Sequence, residues 1–165
     1  MTLVIRDAQP ADLPAILAIV NDAILNTTAM WTLTPATLEQ RQAWLAERQD
    51  AGLPVVVAVQ GPELVGFASF GPFRPWEGYA ATVEHSVYVD ANRRGQGAGR
   101  RLMEALVARA EAMGLHVMVG GIEAGNAASI ALHERLGFER VGLMPEVGRK
   151  FGRWLDLLFM QRILR

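Results

Sequence analysis

The segment Val87-Tyr88-Val89-Asp90-Ala91-Asn92-Arg93-Arg94-Gly95-Gln96-Gly97-Ala98-Gly99-Arg100 combines residue types suited to binding phosphate. Gly95, Gly97 and Gly99 leave the backbone bare, so several N–H groups can point into one concavity. The helical pattern that follows adds the partial positive charge of a helix N-terminus, and Arg93, Arg94, Arg100 and Arg101 add full charges around it. Two other readings compete. A Gly-x-Gly beside arginines is also an ordinary tight turn before a solvated basic helix start. A dinucleotide site needs Gly-x-Gly-x-x-Gly directly after a first parallel strand and an acidic residue about 20 positions on. Glycines at 95, 97 and 99 in mid-chain do not fit that spacing.

The elements that must position this turn are legible from periodicity. Thr2 to Arg6 is β-prone, and Asp12 is placed to cap a helix carrying Leu13, Ile16, Leu17, Val20 and Ile24 on one stripe. A second helix is expected over Pro35 to Gln49, with Gly52 past its end. Strands are expected over Pro54 to Val59, Leu64 to Phe70 and Thr82 to Val89, with turns at Gly61-Pro62 and Gly71-Pro72. Leu102, Met103, Leu106, Val107, Ala110 and Met113 give a helical stripe closed by Gly114. A short strand over Val117 to Val119, a helix over Ala127 to Leu136, and strands around Arg140 to Met144 and Trp154 to Ile163 complete the order. This is the pattern of one α/β domain with a mixed sheet, residues 1–165, without a linker or repeat.

Composition narrows the function. With 51% hydrophobic residues the chain is expected to bury a real core. Sixteen basic against seventeen acidic residues, net −1, argue against a general nucleic-acid or membrane-surface binder. The absence of cysteine removes disulfides, thiolate metal sites and thiol nucleophiles, and no metal is expected. Neither a signal peptide nor an apolar run of about 20 residues is apparent, so a cytoplasmic location is expected.

Arg94-x-x-Gly97-x-Gly99 resembles the Gln/Arg-x-x-Gly-x-Gly/Ala signature of the GNAT acyltransferases, whose turn holds the coenzyme A pyrophosphate. Asn126-Ala127-Ala128-Ser129-Ile130-Ala131-Leu132-His133-Glu134-Arg135-Leu136-Gly137-Phe138 resembles the downstream motif of that family. Further blocks, Gly71 to Arg74, Thr82 to Val89 and Lys150 to Leu157, are similar to the branch that acetylates phosphinothricin and methionine sulfoximine or sulfone. The resemblance spans Ile5 to Gln161. It implies the GNAT fold: a mixed, mostly antiparallel sheet flanked by helices, with splayed central strands.

The resemblance also implies a direct transfer from acetyl-CoA to an amine, both bound together. The amine must lose a proton, and Glu84 is the implied base; the alternative is a strand carboxylate paired with Arg74. His133 stands where many relatives carry a tyrosine that protonates the departing thiolate, and is either that acid, a cofactor contact or an inert helix residue. For the cofactor, the strand edge Val87, Tyr88 and Val89 would bond the pantetheine and supply an oxyanion donor. Arg94, Gly95, Gln96, Gly97, Ala98, Gly99 and Arg100 would hold the pyrophosphate, and Asn126, Ser129 and Arg135 the remainder.

For an amino-acid acceptor, Arg74 is the expected carboxylate partner. Trp31, Phe73, Pro75, Trp76 and Tyr79 could enclose its side chain, with loop packing as the alternative, and Lys150 could face its polar head. Ser86 and His85 flank Glu84, but Glu84 and His85 share a pocket only if the strand is splayed, since side chains alternate. Trp76 stands where phosphinothricin enzymes have an arginine, which favours methionine sulfoximine or sulfone as acceptor over phosphinothricin. A homodimer through the C-terminal strands is implied as well. Rival readings are a protein N-terminal acetyltransferase, which needs an open groove, and an acyl-CoA-binding domain without a base.

Overall fold

The computed structural model describes residues 1–165. Chain order is β1 (Leu3–Asp7), α1 (Leu13–Asn26), α2 (Leu38–Asp50), β2 (Val55–Gln60), β3 (Glu63–Pro72), β4 (Thr82–Val89), α3 (Ala98–Ala112), β5 (Val117–Glu123), α4 (Ala127–Arg135), β6 (Glu139–Lys150) and β7 (Arg153–Ile163). The strands form one seven-stranded sheet in the order β1-β2-β3-β4-β5-β7-β6. Only β4 and β5, joined through α3, run parallel; every other neighbour pair is antiparallel. No helix is long and apolar enough to cross a membrane.

The continuous apolar run of β2 is explained by burial on both faces. Val56 and Ala58 pack with Leu102, Met103 and Leu106 of α3, while Val55 and Val57 face Ile16 and Val20 of α1 and Leu45 of α2. The sheet is thus sandwiched, with α3 on one side and the α1–α2 pair on the other.

Three local expectations change. Asp12 does not cap α1 with its side chain. Its carboxylate instead accepts two hydrogen bonds from Arg6, at 2.8 and 2.9 Å, and one from the Gln9 N–H at 2.7 Å. The Arg6 hydrogen bonds hold the Asp12 carboxyl below the usual carboxylate range, against an opposing effect of burial. The second helix begins at Leu38 rather than Pro35, because Thr37 and Gln40 form a reciprocal capping box there. Finally, β5 does not stop at Gly120-Gly121 but continues to Glu123, held along its length by β7.

The β4–β5 junction shapes the site. β4 pairs with β3 from Val83 to Val89, yet with β5 only over Thr82↔Val117, Val83↔Met118 and Glu84↔Val119. Beyond Glu84 the two strands part. Backbone polar groups of β4 that would have continued the ladder are left facing the gap, since a strand directs them alternately to its two sides. The expected splay of the central strands is therefore present.

Candidate active site

Glu84 is the last residue of β4 paired to β5, so its half-buried side chain stands at the apex of the gap. Space for it is left by Gly121: a Cβ there would sit 3.3 Å from Glu84 Oε2. Burial raises the Glu84 carboxyl above its ordinary value, and Arg74 partly opposes this. No ion pair between Arg74 and Glu84 forms; the Arg74 guanidinium stacks 4.3 Å from the Phe73 ring and donates to the Phe73 carbonyl at 3.1 Å. Because the strands part here, Glu84, His85, Ser86, Val87 and Tyr88 all line the same cavity, of about 390 Å³. Arg48, Gly71, Pro72, Gly121 and Glu123 complete much of its wall.

His85 turns to the α4 side and meets His133, with the two Nε2 atoms 3.0 Å apart and the rings stacked. His133 Nδ1 donates to the Ser129 carbonyl at 2.6 Å, a bond between a residue and the one four before it in α4. Both rings are buried, packed edge-on against Phe138. Burial, with His133 adding to it, pushes His85 down to about 3. The pair needs a glycine at 120: an added Cβ would lie 2.8 Å from His85 Nε2.

A second, larger cleft of about 700 Å³ opens on the other side of the gap. Val87, Tyr88 and Val89 form one wall, Asn126, Ser129, Leu132 and Arg135 another, and Arg94 to Arg100 (without Gln96) its end. Gly95 and Gly97 have φ of 77° and 88°, a left-handed backbone that glycine adopts without strain. Gly97 is the N-cap of α3 and offers no side-chain cap, so the first-turn N–H groups of a 15-residue helix remain open to an external acceptor. Asn126 caps α4 by accepting from the Ser129 N–H at 3.1 Å. The two cavities share Ala29, Val87, Tyr88, Asn126 and Ser129 and so adjoin along β4. The arrangement suits a long ligand with a diphosphate at the α3 end, since the cleft's Val87–Tyr88 wall adjoins the Glu84 cavity.

The acetyltransferase (GNAT) family model matches residues 16–138. The chain belongs to the GNAT family. It is 60% identical over 162 residues to an L-methionine sulfoximine/L-methionine sulfone acetyltransferase of Pseudomonas paraeruginosa, covering 98% of this chain and 94% of the relative. The crystal structure of a ribosomal-protein-alanine N-acetyltransferase from Brucella melitensis superposes with a TM-score of 0.96 at 56% identity, over 98% of this chain and 99% of that one. A GNAT phosphinothricin acetyltransferase from Sinorhizobium meliloti, solved with acetyl-CoA, gives a TM-score of 0.96 at 39% identity, over 99% and 89%.

In this GNAT chain several residues expected at the acceptor pocket stand elsewhere. Lys150 is 3% exposed and donates to the carbonyls of Met30 at 2.6 Å and Ala23 at 3.5 Å, so it ties β6 to α1 and to the segment that follows it. The Trp31 indole N–H donates to the Thr28 carbonyl, and its ring packs on Gly148. Arg74, Pro75, Trp76 and Tyr79 lie exposed on the β3–β4 connection, outside the walls of the Glu84 cavity. Trp76 is 67% exposed and contacts Tyr79 with ring centroids 6.4 Å apart. His133 has both ring nitrogens engaged, Nδ1 with the Ser129 carbonyl and Nε2 with His85. Arg48 was not foreseen, because an arginine near the end of a polar helix reads as a solvated charge; Gly121 carried a signal, as a glycine pair inside a strand marks a close approach.

Proposed function

We propose that this enzyme transfers the acetyl group of acetyl-CoA to the α-amino group of a small free amino acid, methionine sulfoximine or sulfone in preference to phosphinothricin. The observation that carries this reading is Glu84: a half-buried carboxylate, raised by burial, in the wall of the cavity that shares Val87, Tyr88, Asn126 and Ser129 with the larger cleft. The substrate preference is supported by the 60% identity to a methionine sulfoximine/sulfone acetyltransferase against 39% to a phosphinothricin acetyltransferase.

Acetyl-CoA supplies an activated thioester. The first turn of α3 and Arg94 hold its diphosphate, and the bare edge of β4 from Val87 to Val89 aligns its pantetheine arm as an added strand would. Glu84 takes a proton from the acceptor's ammonium, directly or through one water, and the freed amine attacks the thioester carbon. A β4 N–H facing the gap near Val87 stabilises the negative charge developing on the carbonyl oxygen. The C–N bond forms, the C–S bond breaks, the nitrogen gives up a second proton, and the amide and coenzyme A thiol leave. Incubation with acetyl-CoA and L-methionine sulfone, followed by mass spectrometry, should show one acetyl group on the α-nitrogen. Absence of that product defeats the proposal.

The Brucella structure favours a second reading, acetylation of a protein N-terminus. The presence of Arg48 within the wall of the Glu84 cavity favours a free carboxylate there over a continuing peptide chain. A cytoplasmic homodimer belongs to the same proposal. The exposed Val141, Leu143, Met144, Val147 and Trp154 leave apolar surface on β6 and β7 suited to a second copy.

A further inference from the structure

Arg48 sits on the inner face of α2 with its guanidinium laid over Gly71; a Cβ on that glycine would lie 2.8 Å from Cζ and 2.9 Å from Nη2. Gly71 is the register partner of Glu84 across β3 and β4. Nη1 of Arg48 is buried and has no hydrogen-bond partner, and none of the molecule's ion pairs involves this residue. Desolvation lowers its guanidinium from the ordinary value. Arg41, two helical turns earlier, is also half-buried, unpaired at Nε and stacked 4.2 Å from Trp44, and the two arginines repel each other. A cation withdrawn from water without a counter-ion is costly, and a planar fork of donors matches a carboxylate.

We propose that Arg48 is the specificity-determining residue that binds the carboxylate of the amino-acid acceptor, while Glu84 faces its ammonium. This assignment rests on the function proposed above and replaces Arg74, whose guanidinium is exposed and engaged with Phe73. The two charges of a zwitterion then meet opposite charges in one cavity, and the amine is brought to the thioester by the end of the molecule that does not react. Gly71 is a glycine for the same reason: any side chain there would displace the guanidinium.

The test compares kcat/KM for L-methionine sulfone and for its decarboxylated counterpart, 3-(methylsulfonyl)propan-1-amine, in the full-length enzyme and in Arg48→Met, Arg48→Lys and Arg74→Met. Acetyl-CoA binding by calorimetry reports whether each variant is folded. Arg48→Met should cut the preference for the carboxylate-bearing acceptor by about 100-fold, through KM, with the amine's kcat/KM nearly unchanged. Arg48→Lys should lose about 10-fold, since an ammonium cannot reproduce the bidentate fork. Arg74→Met should keep the ratio. A preference retained in folded Arg48→Met, or in Arg48→Lys should the former not fold, overturns the assignment. If the unaltered enzyme acetylates neither compound, the proposed function falls, and the assignment with it.

Discussion

The Nε2 atoms of His85 and His133 lie 3.0 Å apart, and that contact couples the tautomers of the two rings. The Ser129 carbonyl can only accept, so His133 Nδ1 carries a proton; His133 Nε2 then accepts from His85. A second proton on His133 would require His85 to carry its own proton at Nδ1 and turn a bare Nε2 to the contact. His85 Nδ1 is left as a buried acceptor without a partner. Burial disfavours the charged form of both rings, which pack against Phe138 beside the Glu84 strand.

This has a consequence for stability against pH. In the unfolded chain His85 takes up a proton near 6.5, but in the fold only at about 3. The stabilisation is therefore complete above the unfolded value and is lost as pH falls through that window, at up to roughly 1.4 kcal/mol per pH unit. His133 is lowered by burial, against its Ser129 bond, and adds in the same direction. Thermal unfolding followed from neutral to mildly acidic pH should show Tm falling below about 6.5; in the His85→Phe, His133→Phe double variant that slope should flatten.

Replacing Glu84 by Gln keeps the shape and removes the proposed base. Turnover should fall by about 100- to 10,000-fold with acetyl-CoA affinity unchanged. In the unaltered enzyme kcat/KM should be lost as pH falls through the raised Glu84 value, because only the carboxylate accepts the proton. A pH–rate profile for both proteins checks this.

Gly120 and Gly121 are adjacent yet should fail differently. Gly120→Ala brings a methyl within 2.8 Å of His85 Nε2, in a packed region that cannot shift easily, and should cost about 1–3 kcal/mol of stability. Gly121→Ala approaches the movable Glu84 Oε2 at 3.3 Å and should lower kcat with a smaller change in stability. Denaturant unfolding and steady-state kinetics on both variants separate the two effects.

Lys150→Met removes the donor to the Met30 and Ala23 carbonyls. A loss of about 1–3 kcal/mol is expected from those buried acceptors, with KM for the amino acid nearly unchanged in enzyme that remains folded. Chemical denaturation and acceptor titration are the measurements.

The sheet, the helices and the glycine-rich turn could be read from the sequence because they rest on periodicity and on glycine spacing between a strand and a helix. Helix α2 was misplaced at its start because Pro35 is a strong start signal, while the Thr37–Gln40 capping box is decided by side-chain geometry. Lys150 and Arg48 show the limit more sharply. Both are cations on polar surfaces of their elements in the sequence, but one is buried against two carbonyls and the other is folded over a glycine 23 residues away. Such contacts depend on how β6 and α2 meet distant backbone, which no local pattern encodes. The His85–His133 contact likewise joins residues 48 positions apart.

The most direct test of the account is a comparison of acetyl-CoA-dependent thiol release with L-methionine sulfone, L-methionine sulfoximine, phosphinothricin and a peptide bearing an N-terminal alanine. Turnover of the sulfone and sulfoximine is expected with kcat/KM at least about 10-fold above phosphinothricin, and none above background for the peptide. Thiol release with the peptide alone, and with no free amino acid, would contradict it.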